Sequence, residues 1–110
     1  MDDPNFFNHI YEVTRQIPAG RVTSYGAIAK FLGSPNYSRM VGRAMGECGK
    51  ANPPVPYYRV VNSTGHLTGD PSAGRRRREL LESEGVEVKD DKIQNFKKVF
   101  WDPSKEINYE

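Results

Sequence analysis

Cysteine is almost missing from this chain: among 110 residues only Cys48 carries a thiol. A lone cysteine excludes an internal disulfide and any multi-cysteine zinc site, and nothing else in the sequence calls for a metal or a cofactor. No apolar run approaches the ~20 residues that a membrane-crossing helix needs. The opening MDDPNFF has no basic stretch followed by an apolar one. The expectation is a cytoplasmic protein, nuclear in a eukaryote, with no membrane partner. Internal repeats and low-complexity tracts are also lacking, so a single domain over residues 1–110 is expected, acting as a monomer. Charge of one sign is scarce as well. Sixteen Lys and Arg against fourteen Asp and Glu leave a net +2, too little to demand a polyanionic partner. Distribution says more than the total. Arg39 and Arg43 stand four apart and residues 75–78 are all arginine. Local basic patches attract phosphates, although such a run serves equally well as a solvated helix face.

What is present suits a soluble globular domain: 36% apolar and 27% charged residues. The first segment reads as a helix. Asp3 can cap it, Pro4 suits its first turn, Phe6, Ile10, Val13 and Ile17 recur at helical spacing, and Pro18, Ala19 and Gly20 stop it. After a short extended link at 21–23, Ser24 caps a second helix whose apolar face is Ile28, Phe31 and Leu32 and whose end is Gly33. Ala27 stands where a capping box would have Glu or Gln, which weakens the cap. Ser34 and Pro35 start a third helix that runs to about Met45, with Gly42 and Ala44 small enough for close packing. Two short helices joined by a Gly-Ser-Pro turn form a helix-turn-helix pattern, whose second helix approaches DNA. Residues 46–56 form a Gly/Pro-rich loop. Residues 58–61 read as a strand, 62–65 as a tight turn and 66–68 as the returning strand, making a hairpin. A loop through Gly69, Asp70 and Pro71 leads to a fourth helix over about 73–84, anchored by Leu80 and Leu81 and ended by Gly85. Val86 and Val88 form a further extended piece. The fold class expected is mainly α with a small β hairpin, a winged helix-turn-helix. Its core covers about 5–101, with a loose C-terminal tail.

Four strings in order, TSYG, SRMVGRAM, PYYRV and SAG, resemble the DNA-binding, active-site domain of O(6)-alkylguanine-DNA alkyltransferases over roughly residues 5–101. In that family the third string begins proline, cysteine, histidine, arginine, and the cysteine takes the alkyl group. Here Tyr57 stands at the cysteine position and Tyr58 at the histidine position. Attack on a saturated carbon needs a polarisable thiolate; phenols ionise only near pH ~10 and are poor substitutes and poor general bases. The catalytic residues are therefore missing, and the resemblance is to the alkyltransferase-like relatives that keep the frame without the cysteine. An aromatic ring at Tyr57 still offers a face for stacking a base, or it is simply a core aromatic. Cys48 matches no family role and is expected to be a surface or half-buried thiol.

The resemblance carries roles to particular positions. Arg39 matches the arginine that enters through the minor groove and fills the gap left by a rotated nucleotide, a task suited to a planar cation. Tyr25 matches the tyrosine that presses the phosphate 3′ of the target. With Ser38 and Arg43 these make the expected DNA-binding set. Tyr25, Met45, Tyr57, Val60, Leu67 and Ser72 correspond to the alkylguanine pocket, although Met45, Val60 and Leu67 are equally ordinary core residues. Glu84 matches the family's acidic partner and, with no cysteine or histidine to serve, becomes structural. Arg59 ties loop to strand, Asn62 serves the turn, and Asn52 is the nearest match to the hinge asparagine. The implied function is binding of duplex DNA containing O(6)-alkylguanine by minor-groove docking and base flipping, without alkyl transfer, flagging the lesion for nucleotide excision repair proteins. The alternatives are a suicide alkyltransferase with an unexpected acceptor and a winged-helix regulator that reads undamaged DNA.

Overall fold

Helix α1, Pro4–Arg15, forms on the expected apolar spacing. Ile10, Val13 and, just beyond its end, Ile17 are buried; Phe6, Phe7 and Tyr11 pack on the same cluster half-buried. Each fully buried aliphatic side chain contributes about 1.5–3 kcal/mol relative to exposure. The computed structural model describes residues 4–107 except 34, 52 and 68–70. The expected cap Asp3, the helix starter Ser34, the hinge candidate Asn52 and the loop and strand residues 68–70 lie outside the described residues.

Gly20, at φ +84°, turns the chain out of α1 into strand β1, Thr23–Ser24. Ser24 then caps α2, Tyr25–Phe31, its hydroxyl accepting from the Ala27 amide at 3.0 Å. Ile28 and Ala29 are the fully buried residues of α2, while Phe31 and Leu32 pack at its edge. A 3₁₀ turn, Pro35–Tyr37, precedes α3, Ser38–Gly46, which buries Val41, Ala44 and Met45. Phe6 and Tyr37 meet edge-on at 4.8 Å, and the Tyr11 hydroxyl donates to the Ala44 carbonyl at 3.0 Å, fastening α1 to α3. Ala44 is fully buried in this packing. Gly42 has no packing need to be small, since no neighbouring atom lies within 4 Å of where its Cβ would stand.

Strand β2, Val60–Val61, departs from expectation in its partner. It pairs parallel with β1, Thr23 facing Val60 and Ser24 facing Val61, with α2 and α3 inside the crossover. Residues 57–59 are a 3₁₀ turn rather than strand. Among the described residues, the anticipated hairpin between 58–61 and 66–68 does not form as a ladder. The reason is Asn62: its Oδ1 accepts from the amides of Thr64 at 3.1 Å and His66 at 2.8 Å, occupying the donor a hairpin register would need. Asn62 serves the turn as expected. The hairpin lies later in the chain, in β3, Val88–Lys89, and β4, Lys92–Ile93, antiparallel across Asp90 and Asp91. Those two residues have φ of +53° and +58°, the mirror-image turn that suits the twist of a two-residue hairpin. Residues 65–67 lie along it: His66 bridges to Lys92, and Leu67 donates to the Asp91 carbonyl at 2.7 Å. Gly65, at φ +84°, sits where a Cβ would come within 3.1 Å of the Phe96 ring.

Helix α4, Pro71–Ser83, buries Leu81 fully, but Leu80 only in part. Its arginine run is not one solvated face. Arg75 and Arg76 are exposed, Arg78 reaches towards Asp91 at 3.9 Å, and Arg77 is buried on the Leu81 side, four residues away. Short helices α5, Phe96–Val99, and α6, Pro103–Glu106, follow. Residues 102–107, beyond the expected core, are tied down, and the last three residues, where a loose tail was expected, lie outside the described residues. Trp101 is buried and donates its amide to the Val22 carbonyl at 2.7 Å, Asp102 caps α6, and Arg21 pairs with Glu106 at 2.9 Å.

The core is split by the β1–β2 pair. One cluster holds α1, α2, α3 and Val60; the second holds Val22, Val61, Leu67, Leu81, Val86 and Ile93. The two valines of β2 point to opposite sides, as successive strand residues must. No helix among the described residues is long and apolar enough to cross a membrane.

Candidate nucleic-acid interface

The first turns of α2 and α3 come together at Gly26, whose absent Cβ would stand 3.8 Å from the Ser38 hydroxyl. That packing puts Tyr25 and Ser38 side by side at the helix starts, both half-buried. Arg39 follows on α3, exposed and with no ion-pair partner among the described residues. Arg43, one turn further along, pairs with Glu47 at 3.1 Å in solvent. Exposed pairs of this kind are worth well under ~1 kcal/mol. Tyr25, Ser38 and Arg39 thus lie in the first turns of α2 and α3, and Arg43 in the last turn of α3.

Of the expected pocket residues, Met45 and Val60 are buried in the first cluster, and Tyr25 and Tyr57 pack against it half-buried. Leu67 belongs to the second cluster, with Tyr58. Ser72 lies in the first turn of α4, but its side chain is not among those described. Tyr57 and Tyr58 stand edge-on, ring centroids 5.8 Å apart and nearly perpendicular. Their neighbourhood in the chain makes the difference: Tyr57 turns to the α3 side, Tyr58 away from it.

Tyr58, Arg59 and Glu84 form a closed polar cluster. The Tyr58 hydroxyl donates to Glu84 Oε2 at 2.8 Å and accepts from Arg59 Nη2 at 3.1 Å. Arg59 Nε donates to Glu84 Oε1 at 3.0 Å, and Nη2 also donates to Oε2. Arg59 Nη1 reaches the Ile17 carbonyl at 2.8 Å, and the Gly20 amide donates to Glu84 at 3.2 Å. The cluster joins the ends of α1 and α4 to the 57–59 turn, the structural role foreseen for Glu84 and Arg59. Burial favours the neutral acid, but bonds from Arg59, Tyr58 and Gly20 outweigh it and hold the Glu84 carboxyl below its ordinary range. Burial and the bond to Glu84 push the Tyr58 phenol above its own. Tyr58 is thus held as a neutral donor and has no capacity to act as a base near neutrality.

Cys48 is buried, not surface or half-buried as expected: it opens a 3₁₀ turn at 48–50 just after α3 and packs in the first core cluster. Its Sγ contacts the Met45 carbonyl at 3.2 Å, and burial pushes its thiol up, away from the reactive thiolate. A cavity of about 470 Å³ lies behind the turn, between Arg15, Pro53 and Arg59, with Arg15 holding the Pro53 carbonyl at 2.8 Å. Sequence reasoning missed the burial of Arg77, for which the i, i+4 spacing to Leu81 was the available signal.

The family model described as 6-O-methylguanine DNA methyltransferase, DNA binding domain, matches residues 5–86. The chain is 39% identical over 99 residues to Alkyltransferase-like protein 1 of Schizosaccharomyces pombe, covering 88% of this chain and 89% of that one. It is 38% identical over 98 residues to a DNA base-flipping protein of Vibrio parahaemolyticus, covering 89% and 97%. Its fold is similar to the crystal structure of S. pombe Atl1 in complex with damaged DNA containing O6-carboxymethylguanine, with a TM-score of 0.83, 37% identity and coverage of 94% of this chain and all of that one.

Proposed function

The chain belongs to the 6-O-methylguanine DNA methyltransferase family through its DNA-binding domain, and from that membership we propose a lesion-binding protein of the alkyltransferase-like kind that recognises O(6)-alkylguanine in duplex DNA without removing the alkyl group. The observation that carries the reading is Tyr57 at the acceptor position, beside a Tyr58–Arg59–Glu84 cluster that is complete without a cysteine. The protein is not a methyltransferase, since neither phenol is a suitable nucleophile and Cys48 is buried against Met45 with its thiolate disfavoured.

In this reading α3 enters the minor groove. Arg39, without an ion-pair partner among the described residues, fills the space of the rotated nucleotide, while Tyr25 presses the adjacent phosphate and Ser38 and Arg43 contact the backbone. The rotated base rests against Tyr57, with Met45 and Val60 behind it. Gly42, with open space at its Cβ, lets the DNA backbone come close to the helix. Binding without covalent capture is reversible, and a long-lived complex marks the lesion for nucleotide excision repair.

Titration of the protein with duplexes that differ by one O(6)-methylguanine tests the reading, run beside a transfer assay with radiolabelled methylated DNA. Tighter binding to the lesion and no label on protein are expected. Stoichiometric label points to a suicide alkyltransferase, and equal affinities point to a reader of undamaged DNA. Arg39→Ala should weaken lesion binding by about 1–3 kcal/mol with the circular-dichroism spectrum unchanged; unaltered affinity removes Arg39 from the interface.

A further inference from the structure

A second cleft, of about 570 Å³, opens at the far edge of the second core cluster, between the 62–65 turn, β4 and the start of α5. Three lysines line it: Lys92, Lys97 and Lys98, all exposed. No carboxylate lines it, and none of the three has an ion-pair partner among the described residues. Lys89 stands directly across the hairpin from Lys92, which adds a like charge close by. Glu87 and Asp91 flank the hairpin, but their side chains do not line the cleft, and Asp91 faces Arg78.

The walls carry more than charge. Phe96 supplies an apolar ring, held from behind by Gly65 and by Phe100 at 5.4 Å. Asn95 begins α5 without using its side chain as a cap, and Ser63 is exposed at the turn. The site therefore offers cations, an apolar wall and uncommitted hydrogen-bonding groups. It does not share the α3 face. α3 packs on the first cluster and the cleft on the second, with Val60 and Val61 pointing to opposite sides between them.

We propose that this cleft docks an acidic peptide segment of a partner protein, one in which carboxylates alternate with an apolar side chain. Charge complementarity selects the sign of the occupant. The Phe96 wall selects its class: an apolar side chain of a peptide can pack on that ring beside the lysines, whereas a phosphate backbone carries no such side chain. The site is separate from the lesion-binding face, so the partner can be held while DNA is bound.

The test uses the full chain and a fluorescein-labelled glutamate-rich peptide containing leucine, followed by fluorescence anisotropy at physiological salt. Lys92→Gln, Lys97→Gln and Lys98→Gln together should weaken peptide binding by about tenfold, and the corresponding Lys→Arg set should retain it. All three side chains are exposed, so the fold is unaffected by either set. Lesion-duplex affinity of the Gln set should stay within about twofold, since α3 packs on the first cluster and the cleft on the second, and salt screens exposed charges at a distance. Absence of peptide binding, or binding indifferent to the Gln set, overturns the proposal. A parallel loss of duplex affinity in the Gln set also overturns it, and assigns the lysines to DNA phosphates instead. The peptide arm contains no DNA, so its failure leaves the lesion-binding reading standing, and failure of that reading leaves the peptide result intact.

Discussion

Glu84 shows how one position can keep its residue type while the neighbouring chemistry is replaced. Its side chain is 13% exposed and that of Arg59 15%, so the pair is well shielded from solvent. Removing one member leaves the other buried and uncompensated, which costs about 3–5 kcal/mol. Glu84→Gln should therefore lower the unfolding free energy at neutral pH by roughly that amount or somewhat less, since the amide still accepts one bond. Urea denaturation followed by circular dichroism measures it. The pH dependence has a definite sign. The folded carboxyl titrates below the unfolded value of about 4.3, so its contribution is complete above that pH and is lost as the pH falls through the folded value. The Gln variant should show a shallower acid limb. An acid limb identical to wild type means that the cluster is not coupled to folding. At Tyr57 the logic is different: the residue is half-buried, packs against the first cluster and makes no part of that closed cluster.

At the scale of single elements, α3 is the informative one. It buries Val41, Ala44 and Met45 on one side and leaves Arg39 and Arg43 on the other. Gly42 sits within it with no packing requirement of its own. Glycine inside a helix costs about 0.5–1 kcal/mol relative to alanine. Gly42→Ala should therefore raise the stability by about that much in urea denaturation. If α3 lies close against a DNA backbone, the same substitution should weaken binding in the lesion-duplex titration. A stabilised variant with undiminished affinity places Gly42 away from the contact. The cap on α2 illustrates the opposite case, where local chemistry and structure agree: Ser24 accepts the Ala27 amide despite the missing glutamate of a full capping box.

At the scale of the whole molecule, the C-terminal residues are part of the folded unit. Val22 exchanges backbone bonds with Val99 and Trp101, and the Arg21 guanidinium holds the carbonyls of Val99 and Phe100 as well as Glu106. Trp101 is buried in the first cluster beside α1 and α2. Trp101→Ala should destabilise the entire domain by about 3–5 kcal/mol in a single cooperative transition. Loss of structure confined to the C-terminal end, with the main transition unmoved, contradicts that coupling.

The four longer helices and the cap of α2 were legible from the chain alone, because spacing of apolar residues and capping chemistry act within a few residues. Ile10, Val13 and Ile17 mark their own face, Ser24 its own helix start, and Tyr57 its own lack of a thiol. Strand pairing was not legible. Two-residue strands carry almost no pattern, so β2 took β1 as its partner through a crossover of more than thirty residues, and the hairpin appeared at Asp90 and Asp91, where two consecutive left-handed aspartates break the usual asparagine-glycine signature. The burial of Cys48 and Arg77, the closing of Arg59 and Tyr58 on Glu84, and the gathering of three lysines into one cleft arise between segments distant in sequence. Such contacts depend on where the packed core brings chain ends together, and no local preference encodes that.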